Sequence, residues 1–289
     1  MSSCTDTPTN AECIDITCCM TKRCIVDCPA WVHTLKSREL RGQQKSEEWL
    51  NSRHRMITAS DAGAALGDNK YQTQADFVNK KCLTITEAAA NSDNIGASIN
   101  IRWGNYYEQS ALQKYCDVTH KDVYGFGLIQ HKTIDWMGGS PDGITHDGIL
   151  VEIKCPFKRQ VSRGKTECIP VYYIHQVQML MHICELDMCH FVQYVPLKGE
   201  FDDEVFDVIE IKKDPMWWSR NFDILSTTWD TIVARRHILA TGQPLPDLIV
   251  PDTTKRRKKS EDEKEMWRDD RRNKMDIEQD RMGFLVATV

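Results

Sequence analysis

Three residues with complementary chemistry lie close together in the middle of the chain: Asp142, Glu152 and Lys154. Paired carboxylates bind a hard divalent cation through oxygen. Magnesium typically takes one or two such ligands, keeps several waters and uses substrate phosphate for the rest. An adjacent ammonium group orients or helps deprotonate an attacking water, or stabilises phosphate charge. These are the parts needed to hydrolyse a phosphodiester. The residues between them supply a way to bring them together. Asp147-Gly148 is a hairpin turn signal, with Asp142 five positions before Asp147 and Glu152 five after it. A hairpin over residues 137–155 closed at that turn sets the two carboxylates near each other on neighbouring strands. The strand period of two puts Ile149, Val151 and Ile153 on one apolar face, and Leu150, Glu152 and Lys154 on the other. The competing reading is a surface hairpin with a salt bridge. Asp142 upstream and the apolar opposite face weigh against it.

The elements that must hold such a site can be read from periodicity and caps. Residues 46–55, 103–116, 172–189 and 217–239 read as helices, and 60–66 as a short helix with Ser60 as its N-cap. Residues 191–195 and 205–211 read as strands. This order predicts an α/β fold, with a mixed central β-sheet flanked by helices. Glu108 shares a helix face with Ala111 and Leu112, so its carboxylate points inward and needs a partner. Gln176 shares a face with Tyr172, Tyr173, Leu180 and Ile183. Gln178 aligns with His182 and Glu185 and is expected to be more exposed. Ser60 at a helix start offers a hydroxyl and free N–H groups, an anion site. Arg53, seven residues earlier, supplies a guanidinium for phosphate. His175 points away from the Gln176 face. His131, His146 and His190 show no zinc spacing. Trp217, Trp218 and Trp229 read as core.

Composition sets the outer limits. The chain has 289 residues, 41% of them hydrophobic, with a net charge of −5. That balance does not exclude DNA, because electrostatic steering depends on local patches. Residues 1–30 read as a cysteine-rich arm, 31–250 as one catalytic domain, and 251–289 as a charged tail. Of twelve cysteines, six fall in the arm: Cys4, Cys13, Cys18, Cys19, Cys24 and Cys28. With no secretion signal, an intracellular setting with free thiols is expected. A metal site in the arm stays open, although the spacing is not a clean pair of zinc knuckles. No run of 18 apolar residues occurs, so no membrane span is expected. The tail's Lys255-Arg256-Arg257-Lys258-Lys259 is a nuclear-import signal, a DNA-contacting patch or simply solvated.

The extended wording around the three residues is more specific than the residues alone. Ser140-Pro141-Asp142-Gly143 followed by Glu152-Ile153-Lys154-Cys155-Pro156-Phe157 resembles the bacteriophage lambda exonuclease and YqaJ-type viral recombinase nucleases. These belong to the restriction-endonuclease-like superfamily. Three further stretches agree in the same order: Trp49 to Arg53 leading to Ile57-Thr58-Ala59-Ser60, then Arg102 to Glu108, then Tyr172 to Gln178. The resemblance covers roughly residues 40–245. It implies a restriction-endonuclease-like core and a 5′→3′ exonuclease on linear double-stranded DNA that leaves 3′ single strands for recombination. In that scheme Glu108, Asp142, Glu152 and the Ile153 carbonyl hold magnesium, with manganese as a substitute. Lys154 positions and activates the water, Gln176 supports it, and Arg53 and Ser60 hold the 5′-terminal phosphate. A single-strand annealing partner and a ring-shaped homotrimer are also implied, in a host nucleus or cytoplasm if the protein is viral. The basic stretch with Lys158, Arg159, Arg163 and Lys165 departs from the pattern and reads as a DNA-backbone strip. Two alternatives remain: a structure-selective or nicking endonuclease on the same fold, and a DNA-end-binding module without catalysis.

Overall fold

The structure is a computed structural model that describes residues 29–42, 44, 46–83, 95–157, 161, 164–197 and 204–248, with side chains from residue 99 onward in the segment that begins at 95. Most of the 1–30 arm, the 251–289 tail, and Lys158, Arg159 and Arg163 lie outside the described residues.

Helices α1 (Ala30–Ser37) and α2 (Glu47–His54) lead to strand β1 (Ile57–Thr58) and the short helix α3 (Ala62–Ala65). Helices α4 (Gln74–Cys82) and α5 (Ile95–Thr119) follow. Five strands come next: β2 (Val123–Tyr124), β3 (Ile129–Gln130), β4 (Met137–Gly139), β5 (Gly143–Thr145) and β6 (Leu150–Lys154). Helix α6 (Val171–Cys184), strands β7 (Met188–Val195) and β8 (Val205–Lys212), and helix α7 (Trp217–Ala240) complete the order.

The α/β class and the mixed strand pairing agree with the sequence reading, but the described residues form two sheets rather than one. Five strands run in the order β2-β5-β6-β7-β8, and three in the order β1-β4-β3. Only β6–β7 is parallel in the first sheet and only β1–β4 in the second. The expected 137–155 hairpin is therefore only half correct. Its inner part, β5 with β6, is antiparallel, with Gly143 opposite Val151 and Ile144 opposite Leu150. Its outer strand β4 pairs with β1 and β3 instead. Pro141 separates the two pieces, and proline has no N–H to continue a ladder. The turn closes on Gly148, at φ +78°, a left-handed conformation that glycine adopts without a Cβ clash.

Strand β6 is buried on both faces. Leu150 packs in the core cluster with Leu180 and Ile183 of α6, and Val151 and Ile153 pack with Ala111, Leu112 and Tyr115 of α5. Each such aliphatic side chain contributes roughly 1.5–3 kcal/mol on burial. The layering is thus helix, sheet, helix, with β6 in the middle.

Other boundaries differ for identifiable reasons. Helix α6 ends at Cys184, not at residue 189, because Glu185 takes a left-handed conformation at φ 57°. Leu186 N–H then bonds back to the Met181 carbonyl at 2.9 Å, closing the helix and freeing Met188 to start β7. Helix α5 extends well beyond 103–116 at both ends. Among the described residues all six cysteines are free thiols, and no helix is long and apolar enough to cross a membrane.

Helices α3 and α6 approach so closely that a Cβ on Gly63 would lie 2.5 Å from Tyr172 Cβ and 2.9 Å from Tyr172 Cα. Backbone cannot yield as a flexible side chain does. Gly63→Ala is expected to cost about 2 kcal/mol or more and to lower the melting temperature by roughly 4–8 °C. A thermal melt within a degree of wild type would show that the helices separate freely.

Candidate active site

The hairpin register carries Asp142 to the position opposite Glu152, one step past the last paired residues. Asp142 Oδ2 accepts the Ile153 N–H at 2.6 Å, which ties the two strands together at the site. Glu152 is only 1% exposed. Its Oε1 accepts from Lys154 Nζ and from Gln176 Nε2 of α6. Its Oε2 is buried with no hydrogen-bond partner. Burial and the Asp142 charge push the Glu152 carboxyl well above the usual carboxylate range, against the opposing pull of Lys154. Burial raises Asp142 too, partly offset by Lys154 and the Ile153 N–H. Burial alone would lower Lys154, but Glu152 and Asp142 more than offset it and hold the ammonium protonated. That ammonium also lies 5.0 Å from the Tyr173 ring centroid. Glu108, half-buried on α5, adds to the rise at both Glu152 and Cys155.

Asp142, Glu152, Lys154 and Gln176 are therefore brought into one cluster, with Glu108 within electrostatic reach. Gln178 reverses its expectation. It is 3% exposed, donates to the Lys212 carbonyl at 2.9 Å and accepts from the Asp214 N–H at 2.8 Å. It pins α6 to the chain beyond β8. The α6 periodicity could not reveal this, because the far side of α6 is covered rather than solvated. His175 lies off the site as expected, between Asp68 Oδ2 and Trp217 Nε1, each at 2.9 Å. Trp217 is 3% exposed, and Trp218 and Trp229 pack against the core.

Arg53 and Ser60 also meet. Arg53 Nη2 donates to Ser60 Oγ at 2.8 Å, and its guanidinium lies 4.5 Å from the Trp49 ring. Ser60 is not the cap that was expected. Thr58 caps a 3-10 turn over Ala59–Asp61, forming a reciprocal box with Asp61: its N–H and Oγ1 reach Asp61 Oδ2 at 3.1 and 2.8 Å. The exposed Ser60 hydroxyl is thereby left to face Arg53.

Two residues escaped the sequence reading. Lys81 is 9% exposed, donates to the Arg53 and Met56 carbonyls at 2.8 Å each, and pairs with Asp61 Oδ2 at 3.0 Å. It fixes the backbone that carries Arg53. In sequence, Lys80-Lys81 looks like an ordinary solvated helix end. Ser140 Oγ, two residues before Asp142, is buried without a partner. Its only sequence signal was its place in the Ser-Pro-Asp-Gly wording. Lys165, half-buried, precedes a 3-10 turn at Thr166–Cys168.

Residues 48–187 match the model of the YqaJ-like viral recombinase domain. That stretch is therefore similar to the YqaJ-like viral recombinase domain. The matched stretch contains Arg53, Ser60, Glu108, Asp142, Glu152, Lys154 and Gln176. Beyond this YqaJ-like domain, an uncharacterised protein of Acanthamoeba polyphaga mimivirus is 29% identical over 165 residues, 52% of this chain. The match spans only 29% of that protein's length. An alkaline exonuclease from Laribacter hongkongensis is 25% identical with a TM-score of 0.56, covering 68% of this chain and 97% of that one. Its complex with dAMP gives a TM-score of 0.57 at the same identity and the same coverage. The YqaJ-like domain thus has an alkaline-exonuclease fold.

Among the described residues, no three His, Cys, Asp or Glu side chains form a complete ligand set. Asp142 and Glu152 nevertheless suit a hard cation. Two carboxylates share a buried site, each raised by burial, and one Glu152 oxygen has no partner. A cation that keeps waters needs no more protein ligands than these.

Proposed function

We propose that the protein is a metal-dependent deoxyribonuclease that digests linear double-stranded DNA from 5′ ends and leaves 3′ single strands. The observation that carries this reading is Glu152. It is a carboxylate sealed from solvent, with one oxygen held by Lys154 and Gln176 and the other without a partner. A buried carboxylate is costly unless a cation or donors compensate it. In this reading Asp142 and Glu152, with Glu108 and the Ile153 carbonyl nearby, hold magnesium or manganese, which supplies charge stabilisation to the phosphodiester. Lys154, kept as an ammonium, positions the attacking water and offsets phosphate charge. Gln176 holds the Glu152 carboxylate in place. Arg53 and Ser60 bind the terminal 5′ phosphate, and the unpartnered Ser140 hydroxyl offers a further donor beside Asp142. Lys165, with Lys158, Arg159 and Arg163, contacts the DNA backbone. An annealing protein would take the 3′ strand. A homo-oligomer, a trimer in the family's manner, and a viral host's nucleus or cytoplasm are the corresponding assembly and setting.

The test is digestion of end-labelled linear duplex with magnesium, alongside covalently closed circular DNA. Linear DNA is expected to shorten from its 5′ ends while circles stay intact. Cleavage of circles would replace this reading with an endonuclease. Duplex binding without cleavage at any metal concentration would replace it with an end-binding module.

Metal addition should also be visible without substrate. At a hundredfold excess over its dissociation constant, magnesium is expected to stabilise the fold by about 2.7 kcal/mol. That is a rise of roughly 5–10 °C in melting temperature, reversed by chelator. Asp142→Asn should lose most of the rise. An equal rise in Asp142→Asn would place the cation elsewhere.

A further inference from the structure

A second cavity, of about 550 Å³, lies at the C-terminal end of α6 and shares no residue with the site above. Three cations from separate parts of the chain line it: Arg38 after α1, Lys132 in the β3–β4 connection and Lys213 after β8. Their compensation is thin. Lys132 pairs with Glu185 at 3.2 Å, and Lys213 reaches only the 95% exposed Asp187, at 3.9 Å. Arg38 Nη2 donates to the Ile183 carbonyl at 2.8 Å, but its Nε and Nη1 are buried without partners. His182 Nε2 is likewise buried and unpartnered. An unmet buried donor costs about 1–3 kcal/mol, more when charged. The described residues leave two Arg38 donors beside the cavity without an acceptor.

The remaining walls narrow the ligand class. Trp218 lies against His131 and His182, with ring centroids 5.5 and 4.9 Å away, and against Phe222 at 5.0 Å. Burial, with Lys213 and His131 adding to it, pushes His182 down to about 4, and burial with Arg38 lowers His131. Among the lining residues Arg38, Lys132 and Lys213 outnumber the carboxylate of Glu185. A phosphate presents several acceptor oxygens and up to two negative charges, and it matches the fork of an arginine. Aromatic rims suit a nucleobase. The volume lies within the roughly 300–1,000 Å³ typical of small-molecule sites.

We propose that this cavity binds the phosphate of a mononucleotide. The phosphate part rests on the cavity alone, and the nucleoside part rests on the nuclease reading. The experiment is calorimetric titration of the full-length protein in chelator with dAMP, deoxyadenosine and a glutamate oligomer. Arg53→Ala, which disables the proposed 5′-phosphate pocket, is expected to keep a dAMP site. Adding Lys213→Glu should weaken that site at least about tenfold. Lys213→Gln keeps the test open should the charge reversal unfold the protein. Deoxyadenosine, lacking the phosphate, should bind at least about tenfold more weakly than dAMP. The proposal is overturned by absent dAMP binding in Arg53→Ala, by an unchanged affinity on altering Lys213, or by equal binding of deoxyadenosine. Tighter binding of the glutamate oligomer would reassign the cavity to an acidic protein partner. A Lys213-dependent dAMP site in a protein that fails to digest duplex would sink the nuclease reading but leave the phosphate site standing.

Discussion

Glu152→Gln should give a folded protein that digests linear duplex on the order of 10³-fold more slowly, about 4 kcal/mol of lost barrier reduction. The substitution keeps the shape of the side chain, and an amide oxygen can still accept the bond from Lys154. What it removes is the charge that would draw a cation into a site where Glu152 is 1% exposed. Lys154→Ala should cost a similar order, because it removes the ammonium that sits against Glu152 Oε1. The two losses should not add, since the residues act as one unit. The measurement is single-turnover digestion with magnesium, with a melting curve as the folding control. Digestion by either variant within a few-fold of wild type would move the chemistry away from this hairpin.

The second large effect concerns the DNA end. Duplex with a 5′ phosphate should be digested roughly 10–100 times faster than duplex with a 5′ hydroxyl. That range corresponds to the 1.5–3 kcal/mol of a charge-assisted hydrogen bond. Arg53→Ala should abolish most of this preference while leaving digestion of the hydroxyl end nearly unchanged. Arg53 already donates to Ser60 Oγ at 2.8 Å and stands over Trp49, so the pocket is organised before any phosphate arrives. Lys81, bonded to the Arg53 carbonyl and paired with Asp61, holds the backbone behind it. An Arg53→Ala protein that still prefers the phosphorylated end would show that this pair does not read the end.

The hairpin geometry was legible because it is local. Asp147-Gly148 sets the turn, the period of two sorts the faces, and the register brings Asp142 opposite Glu152. The same holds for the α/β class, for α2 and for α7, all of which depend on short-range patterning. Gln176 was found from helical periodicity alone. Other features depended on what packs against what. A left-handed Glu185 ends α6 without the glycine that normally announces such a cap. Gln178 looked exposed because its neighbours on the helix are polar, yet the backbone beyond β8 closes over it. Ser60 lost its capping role to Thr58 and Asp61 within four residues, a contest between two good caps that propensity cannot settle. Nothing local marks Lys81 for burial, but Asp61 and two carbonyls draw it inside. By itself, then, the sequence determined the β5–β6 hairpin and the side chains one helical turn or one strand pair away. The split into two sheets, the burial of Glu152 between α5 and α6, and the Arg53–Ser60 contact were decided only by tertiary structure. They arise from long-range packing, which no local pattern encodes.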